Sequence, residues 1–208
     1  MNTEVLSAQN PLALPRALEI LQLGGLVAFP TDTVYGVGAL AFDGAAVESI
    51  YAAKDRPVEK AIPVLIGDAD DLAKVSAEVP EIALKLAARF WPGPLTLVMP
   101  KHPKLPEAVS AAPTVGVRIP DHPVARALLR LAGPMAVTSA NLSGQPSPST
   151  AQEVFAQLGG RIALILDGGK TPGGVPSTVV DCIGVEPQVL RAGAIPKSEI
   201  MAVSGQKF

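Results

Sequence analysis

Cysteine is nearly absent from these 208 residues, Cys182 being the only one. That excludes a disulfide framework and a zinc site built on clustered thiolates. Aromatic residues make up 4% of the chain, too few for the stacking platforms that hold single-stranded nucleic acid. Charge of either sign is scarce, and 17 basic residues against 19 acidic ones leave a net charge of −2. This balance excludes a coat of positive charge but leaves room for a local basic patch. The two histidines, His102 and His122, each precede a proline in separate loops, which argues against a Ser-His hydrolase and against a His-ligated metal. The first residues, Met1-Asn2-Thr3-Glu4, show neither the positive nor the apolar region of a signal peptide. The longest apolar stretches, such as 26–30 and 62–66, are strand-sized and far too short to span a membrane. A cytoplasmic protein without membrane contact is expected.

What the chain has is apolar mass and turn formers. Hydrophobic residues are 48% of the total, with 19 glycines and 21 prolines, enough for a buried core and for many shaped loops. No repeat, charge block or low-complexity linker divides it, so residues 1–208 read as a single domain. Helices are expected from Pro15 to Gly24, through Val47, Ile50, Tyr51 and Lys54, through Ile82, Leu86 and Phe90, and from Pro123 to Leu131. The Val47–Lys54 spacing puts Lys54 on the side of its helix that carries core residues. Thr150 and Glu153 match a capping box opening a further helix to Leu158. Strands are expected at 26–29, 62–66, 95–99, 115–119, 135–138, 162–166, 178–182 and 189–191. Such alternation indicates an α/β fold, a sheet flanked by helices. The last strands lie too close together for helical crossovers, so the sheet is expected to be mixed.

Four loops could carry chemistry. Pro30–Gly36 packs two threonines, Asp32 and Tyr35 beside glycine, or is an ordinary Thr- and Asp-rich turn. Lys54–Lys60 offers three cations stiffened by Pro57. It can clamp a polyphosphate, or be a solvated loop neutralised by its own Asp55 and Glu59. In Val115–Pro120, alternation sets Gly116 and Arg118 on one face. There Arg118 can hold a carboxylate or phosphate, or pair with an acid on a neighbouring strand. Thr138–Thr150 is dense in hydroxyls and amides before a helix start, which suits an anion or simply caps the helix. Other matches fail. Gly36-Val37-Gly38-Ala39-Leu40-Ala41 has the dinucleotide fingerprint but reads as strand and turn where a helix should open. Gly169-Lys170-Thr171 lacks the first glycine of a phosphate loop, and Pro172-Gly173-Gly174 denies it a helix. Cys182 sits in an apolar strand and reads as a structural thiol.

Taken in order, PTDTVYG (30–36), KDRP (54–57), FWPGP (90–94), VRIP (117–120), SANLSG (139–144), PSTVVD (176–181) and LRAGAI (190–195) resemble the YrdC-like threonylcarbamoyl-AMP synthases across about residues 12–195. The resemblance implies a YrdC-like fold, a twisted mixed sheet with a concave ligand cleft. It also implies a reaction of L-threonine, bicarbonate and ATP that yields threonylcarbamoyl-AMP and pyrophosphate for the threonylcarbamoyl modification of tRNA at A37. Such chemistry needs charge neutralisation and alignment more than acid–base groups, in keeping with a sequence that offers no candidate catalytic histidine. By the same resemblance, Lys54 and Arg56 of K-x-R and Ser139 and Asn141 of S-x-N form the catalytic group. Arg56, Lys60, Thr114, Asn141, Ser149 and Arg191 bind ATP, while Thr33, Arg118, Ser139 and Ser177 bind threonine, Arg118 taking its carboxylate. Tyr35 closes over the amino acid. No protein metal site is implied; Mg2+ is expected with the ATP.

Departures from the family pattern are also visible. Asp55 stands inside K-x-R where many members have glycine, and Leu65 where some have a polar residue near threonine. An end at Phe208 resembles the short form, which relies on separate threonylcarbamoylation proteins to transfer the group to tRNA, with a tRNA contact of its own. Two alternatives carry different consequences: a non-catalytic module binding tRNA or double-stranded RNA, and a carbamoyl-AMP-forming module like that of hydrogenase-maturation carbamoyltransferases. The acidic balance counts against the first, and length against the second.

Overall fold

A computed structural model describes residues 2–172 and 174–203. Gly173 and the chain end at Phe208, both used in the reading above, lie outside the described residues. In chain order the elements are β1 (Glu4–Ser7), α1 (Ala13–Gln22), β2 (Val27–Pro30), β3 (Tyr35–Leu40), α2 (Gly44–Lys54), β4 (Val64–Leu65), α3 (Leu72–Val75), α4 (Glu81–Phe90), β5 (Leu95–Pro100), β6 (Thr114–Arg118), α5 (Pro123–Ala132), β7 (Met135–Ser139), α6 (Ala151–Leu158), β8 (Leu164–Asp167), β9 (Thr178–Asp181), β10 (Gln188–Arg191) and α7 (Lys197–Val203). The ten strands form one sheet in the order β1-β8-β2-β3-β7-β4-β6-β5-β9-β10. Four pairs, β1/β8, β2/β8, β4/β6 and β5/β9, run parallel. The others, including the closing β9/β10 hairpin, run antiparallel. The mixed sheet is as expected from the short spacing of the last strands.

Strand alternation sorts the core into two layers. Ala28, Ala136 and Ile165 face a cluster with Val47 and Ile50 of α2, Leu86 of α4 and Val154 of α6. Their neighbours Val27, Phe29, Val137, Leu164 and Leu166 face the other side, with Ala17 and Leu21 of α1 and Leu128 of α5. Helices α1 and α5 pack chiefly on β2, β3 and β8. On β5 and β6 that second face carries Thr96, Gly116 and Arg118, where Ser177 bonds Thr96 and the turn residues Asp32 and Thr33 accept from Arg118.

Elements with little apolar pattern, β1, β3, α3 and α7, escaped the sequence reading, while the strand reading of the glycine pair held. β1 is an edge strand with alternate residues half-exposed, so it carries little apolar signal. The loop read at 30–36 is a hairpin, its turn closed by Thr31 Oγ1 donating to Val34 O at 2.6 Å and accepting from Thr33 N at 3.2 Å. The Gly36/Gly38 pair that mimics a dinucleotide fingerprint lies in β3, against β7. A Cβ on Gly38 would stand 2.6 Å from Ala136 O and 2.7 Å from Val137 Cγ2. Those glycines allow the strands to approach, and no phosphate is needed to account for them.

Gly38→Ala should therefore push β3 off β7 and cost about 1–3 kcal/mol, as overpacking generally does. A thermal melt should show a midpoint several degrees lower; an unchanged midpoint would mean that β7 yields without cost.

Candidate functional site

Arg118, at the end of β6, is 6% exposed and ties three motifs together. Its Nε donates to Gly93 O at 3.0 Å, its Nη1 to Thr33 Oγ1 at 3.2 Å, and its Nη2 to Asp32 Oδ1 at 2.5 Å. Gly93 in turn donates its amide to Ile119 O at 2.8 Å, so FWPGP and VRIP hold each other. Burial works against the guanidinium charge, the Asp32 carboxylate supports it, and the nearby Arg191 opposes it again. The acid partner allowed for Arg118 is thus Asp32, supplied by the hairpin turn. Ser177 is 6% exposed. Its Oγ lies 2.9 Å from Thr96 Oγ1 on β5 and accepts from Arg191 Nη2 at 3.0 Å.

The second corner is built on Lys54. As its helical spacing implied, Val47, Ile50, Tyr51 and Lys54 are all buried, and Lys54 is only 1% exposed. Its Nζ donates to the carbonyls of Ser139 and Asn141. The lysine of K-x-R therefore positions the backbone of S-x-N, and no carboxylate neutralises it among the described residues. Burial, with help from the Arg56 charge, pushes its pKa down to about 7. Arg56 is held by the carbonyls of Lys60 (3.2 Å) and Ala61 (2.9 Å). Lys60 is exposed. Asp55 caps α2 in the left-handed region at φ 51°, a conformation glycine adopts at less cost. Its carboxylate takes a 2.9 Å bond from Arg161, and neither Asp55 nor Glu59 forms an ion pair with a cation of its own loop among the described residues.

Asn141 is 7% exposed; its Nδ2 donates to Leu142 O at 2.7 Å and Gln145 O at 2.9 Å. The two corners meet along β3, where Ala140 N donates to Tyr35 O at 2.8 Å and Gly36 pairs with Ser139. Ser149 is fixed from α6, its amide donating to Glu153 Oε2 at 2.6 Å, while Thr150 Oγ1 caps the helix through Glu153 N. A cleft of about 490 Å³ opens beside it, lined by Pro146–Ser149, Glu153, Lys170 and Gly174 among others. A similar groove at Pro80, Lys85 and Val185 contains none of the residues singled out from sequence. Tyr35 does not lie free to cover an amino acid: it is fully buried, donates to Gly169 O at 2.7 Å and accepts from Gly168 N at 3.2 Å. Burial raises its pKa to about 12, so it remains a donor that anchors the turn after β8. Thr114 starts β6 opposite Pro100, four residues from Arg118, and no hydrogen bond links its hydroxyl to the rest of the cluster among the described residues.

Three buried side-chain atoms have no hydrogen-bond partner among the described residues: Asp32 Oδ2, His122 Nδ1 and Asn141 Oδ1. Asp32 and Asn141 belong to the segments just described, His122 directly precedes α5, and unsatisfied buried polar atoms call for an explanation. Asp32 and His122 were not picked out from sequence as site residues. Asp32 gave a signal, as the one acid of its loop; His122 gave none, because two histidines far apart in sequence form no motif.

Residues 19–193 match the profile of the Sua5/YciO/YrdC family, described as telomere recombination. The chain is 47% identical over 206 residues to the threonylcarbamoyl-AMP synthase of Bacillus subtilis (strain 168), covering 98% of this chain and 59% of that protein. It is 45% identical over 192 residues to the threonylcarbamoyl-AMP synthase of Pyrococcus abyssi, covering 91% and 56%. This chain therefore spans a little over half the length of these two curated relatives. The crystal structure of P. abyssi Sua5 complexed with L-threonine superposes with a TM-score of 0.90 at 42% identity, over 98% of this chain and 60% of that one.

A charged Lys54 should destabilise the folded chain most below pH 7, and this penalty should fade as the pH rises from about 7, its folded value, to 10.5, its ordinary one. Lys54→Met removes that dependence along with the ammonium. The melting midpoint of the variant relative to the parent should then fall by several degrees between pH 6.5 and 9.5. A constant difference across that range would show that Lys54 stays charged throughout.

Proposed function

This chain belongs to the Sua5/YciO/YrdC family, and from that premise we propose that it is an L-threonylcarbamoyladenylate synthase. As such it is a nucleotidyltransferase joining L-threonine, bicarbonate and ATP into threonylcarbamoyl-AMP and pyrophosphate. Its product is the activated intermediate that other threonylcarbamoylation proteins transfer to tRNA. The observation that carries this reading is that two unlike cationic corners are joined side by side along β3, through Gly36 paired with Ser139 and Ala140 N bonded to Tyr35 O. Arg118, with Asp32 and Thr33 on its terminal nitrogens, suits a zwitterionic amino acid. Lys54 with Arg56, lacking a neutralising acid, suits a triphosphate.

The chemistry needs the threonine amine to take up carbon dioxide as a carbamate, whose oxygen then attacks the α-phosphorus as pyrophosphate leaves. Arg118 and Thr33 hold the carboxylate end of threonine and Ser177 the far wall. Ser139 and Asn141 stand where amino acid meets nucleotide. Lys54 fixes their backbone and adds its charge to those of Arg56 and Lys60 over the phosphates. Thr114, Ser149 and Arg191 hold the nucleotide. Mg2+ would come with the phosphates, and Asn141 Oδ1, a buried oxygen without a partner among the described residues, would be the side-chain group to help hold it. When bound, the ion would neutralise phosphate charge. The RNA-binding alternative is not favoured, since Arg118 is buried with its donors on Gly93, Thr33 and Asp32, out of reach of an RNA backbone at the surface.

Incubation with ATP, threonine, bicarbonate and magnesium should release pyrophosphate in a threonine-dependent manner; no release from folded protein would sink the proposal. Arg56→Ala should lower turnover at least 10²-fold, typical of a lost transition-state charge contact. It should cost only about 1–2 kcal/mol of stability, for two hydrogen bonds to partly exposed carbonyls. Equal losses would make Arg56 structural.

A further inference from the structure

The cleft of about 490 Å³ is lined by two segments remote in sequence, 146–149 and the stretch that holds Lys170, Pro172 and Gly174, together with Glu153 and Gln157 of α6. Neither segment lies in a helix or strand, so hydrogen bonds to neighbours decide where it stands. Tyr35 holds both. Its amide donates to Pro148 O at 2.9 Å, and its hydroxyl donates to Gly169 O at 2.7 Å and accepts from Gly168 N at 3.2 Å. The two segments then meet through Thr171, 3% exposed, whose amide donates to Ser149 O at 2.9 Å. These contacts close a circuit from the β2/β3 hairpin through both segments and back. Packing puts the same stretch against the hairpin a second time: a Cβ on Gly168 would stand 2.7 Å from Cγ of Pro30, so only glycine lets the backbone pass.

Resting on the threonylcarbamoyladenylate reading, in which Ser149 helps to hold the nucleotide, we propose that Tyr35 is a positioning residue for ATP. Its hydroxyl keeps residues 168–171 on the hairpin, and Thr171 passes that constraint to Ser149. Tyr35 has no exposed surface, so it acts on a bound nucleotide only through these segments. The threonine corner is independent of the phenol: Thr31 closes its turn, and Asp32 and Thr33 reach Arg118 from there. Without the hydroxyl, Gly169 O and Gly168 N lose the bonds that fix them, and these exposed residues are free to take other positions. A smaller share of molecules with the cleft wall in place lowers the apparent affinity for ATP in proportion.

The test is Tyr35→Phe in the full chain, with ATP and threonine Kd read separately by calorimetry and kcat by pyrophosphate release. The ATP Kd should rise about fivefold or more, for the loss of two hydrogen bonds, while threonine Kd and kcat at saturating substrates move less than about twofold. Amide exchange at Gly168 and Thr171 should quicken about tenfold as the stretch opens more often. Gly168→Ala keeps the phenol but meets Pro30, and it should reproduce the ATP defect. Thr3→Val is the reference for lost stability alone. Thr3 Oγ1 accepts from Gly160 N at 2.8 Å and donates to Ile162 O at 2.6 Å, the same pair of bonds around a turn that lines no part of the cleft. That variant should lower the melting midpoint and leave both Kd values unchanged. The proposal is overturned if Tyr35→Phe binds ATP as the wild type does, if threonine affinity falls in parallel, or if Thr3→Val weakens ATP to the same extent. A wild type that binds ATP but releases no threonine-dependent pyrophosphate overturns the reading of function instead.

Discussion

Burying a positive charge is the constraint on which this molecule turns. A cation taken out of water needs compensation from partners placed around it. Lys54 and Arg118, 1% and 6% exposed, obtain theirs in different ways. Arg118 has one carboxylate, one hydroxyl and one carbonyl; Lys54 has carbonyls only. Each set of partners comes from segments remote in sequence, so satisfying the cation and assembling the cleft are the same event. Hydroxyls and backbone oxygens leave more of the charge standing than a carboxylate would. A site made this way is ready for an anion.

The architecture supplies the room. One face of the sheet is covered by α2, α4 and α6, while the other is covered by α1 and α5 chiefly over β2, β3 and β8. On β5 and β6 the pleat turns Thr96, Gly116 and Arg118 to one face, where Ser177, Asp32 and Thr33 meet them. Close approach between β3 and β7, possible because residues 36 and 38 lack side chains, brings the hairpin turn and the Ser139–Asn141 segment side by side. The Asp55–Arg161 pair engages the acid of the Lys54–Lys60 loop with a cation from outside that loop.

Much of this was legible in order along the chain. The spacing of Val47, Ile50, Tyr51 and Lys54 put the lysine on a buried face. Alternation in Val115–Ile119 put Arg118 opposite the core, and the Thr150/Glu153 pair marked a helix start that the structure contains. Elements with weak patterns were missed: the half-exposed edge strand β1, the short helix α3, and α7, with Ile200 as its one fully buried residue. The turn of the first motif hid a strand because its glycines and hydroxyls look like loop.

The sequence by itself determined the α/β class, the mixed sheet, the scarcity of charge and the seven motifs whose order marks the family. Those are properties of local pattern and composition, and they survive without coordinates. Only the tertiary structure decided which groups meet: that Arg118 is paired with Asp32, that Lys54 grips the S-x-N backbone, and that Tyr35 anchors a turn. Partners drawn from strands far apart in the chain are chosen by sheet order and by the need to satisfy buried polar atoms, and neither is written in any one segment.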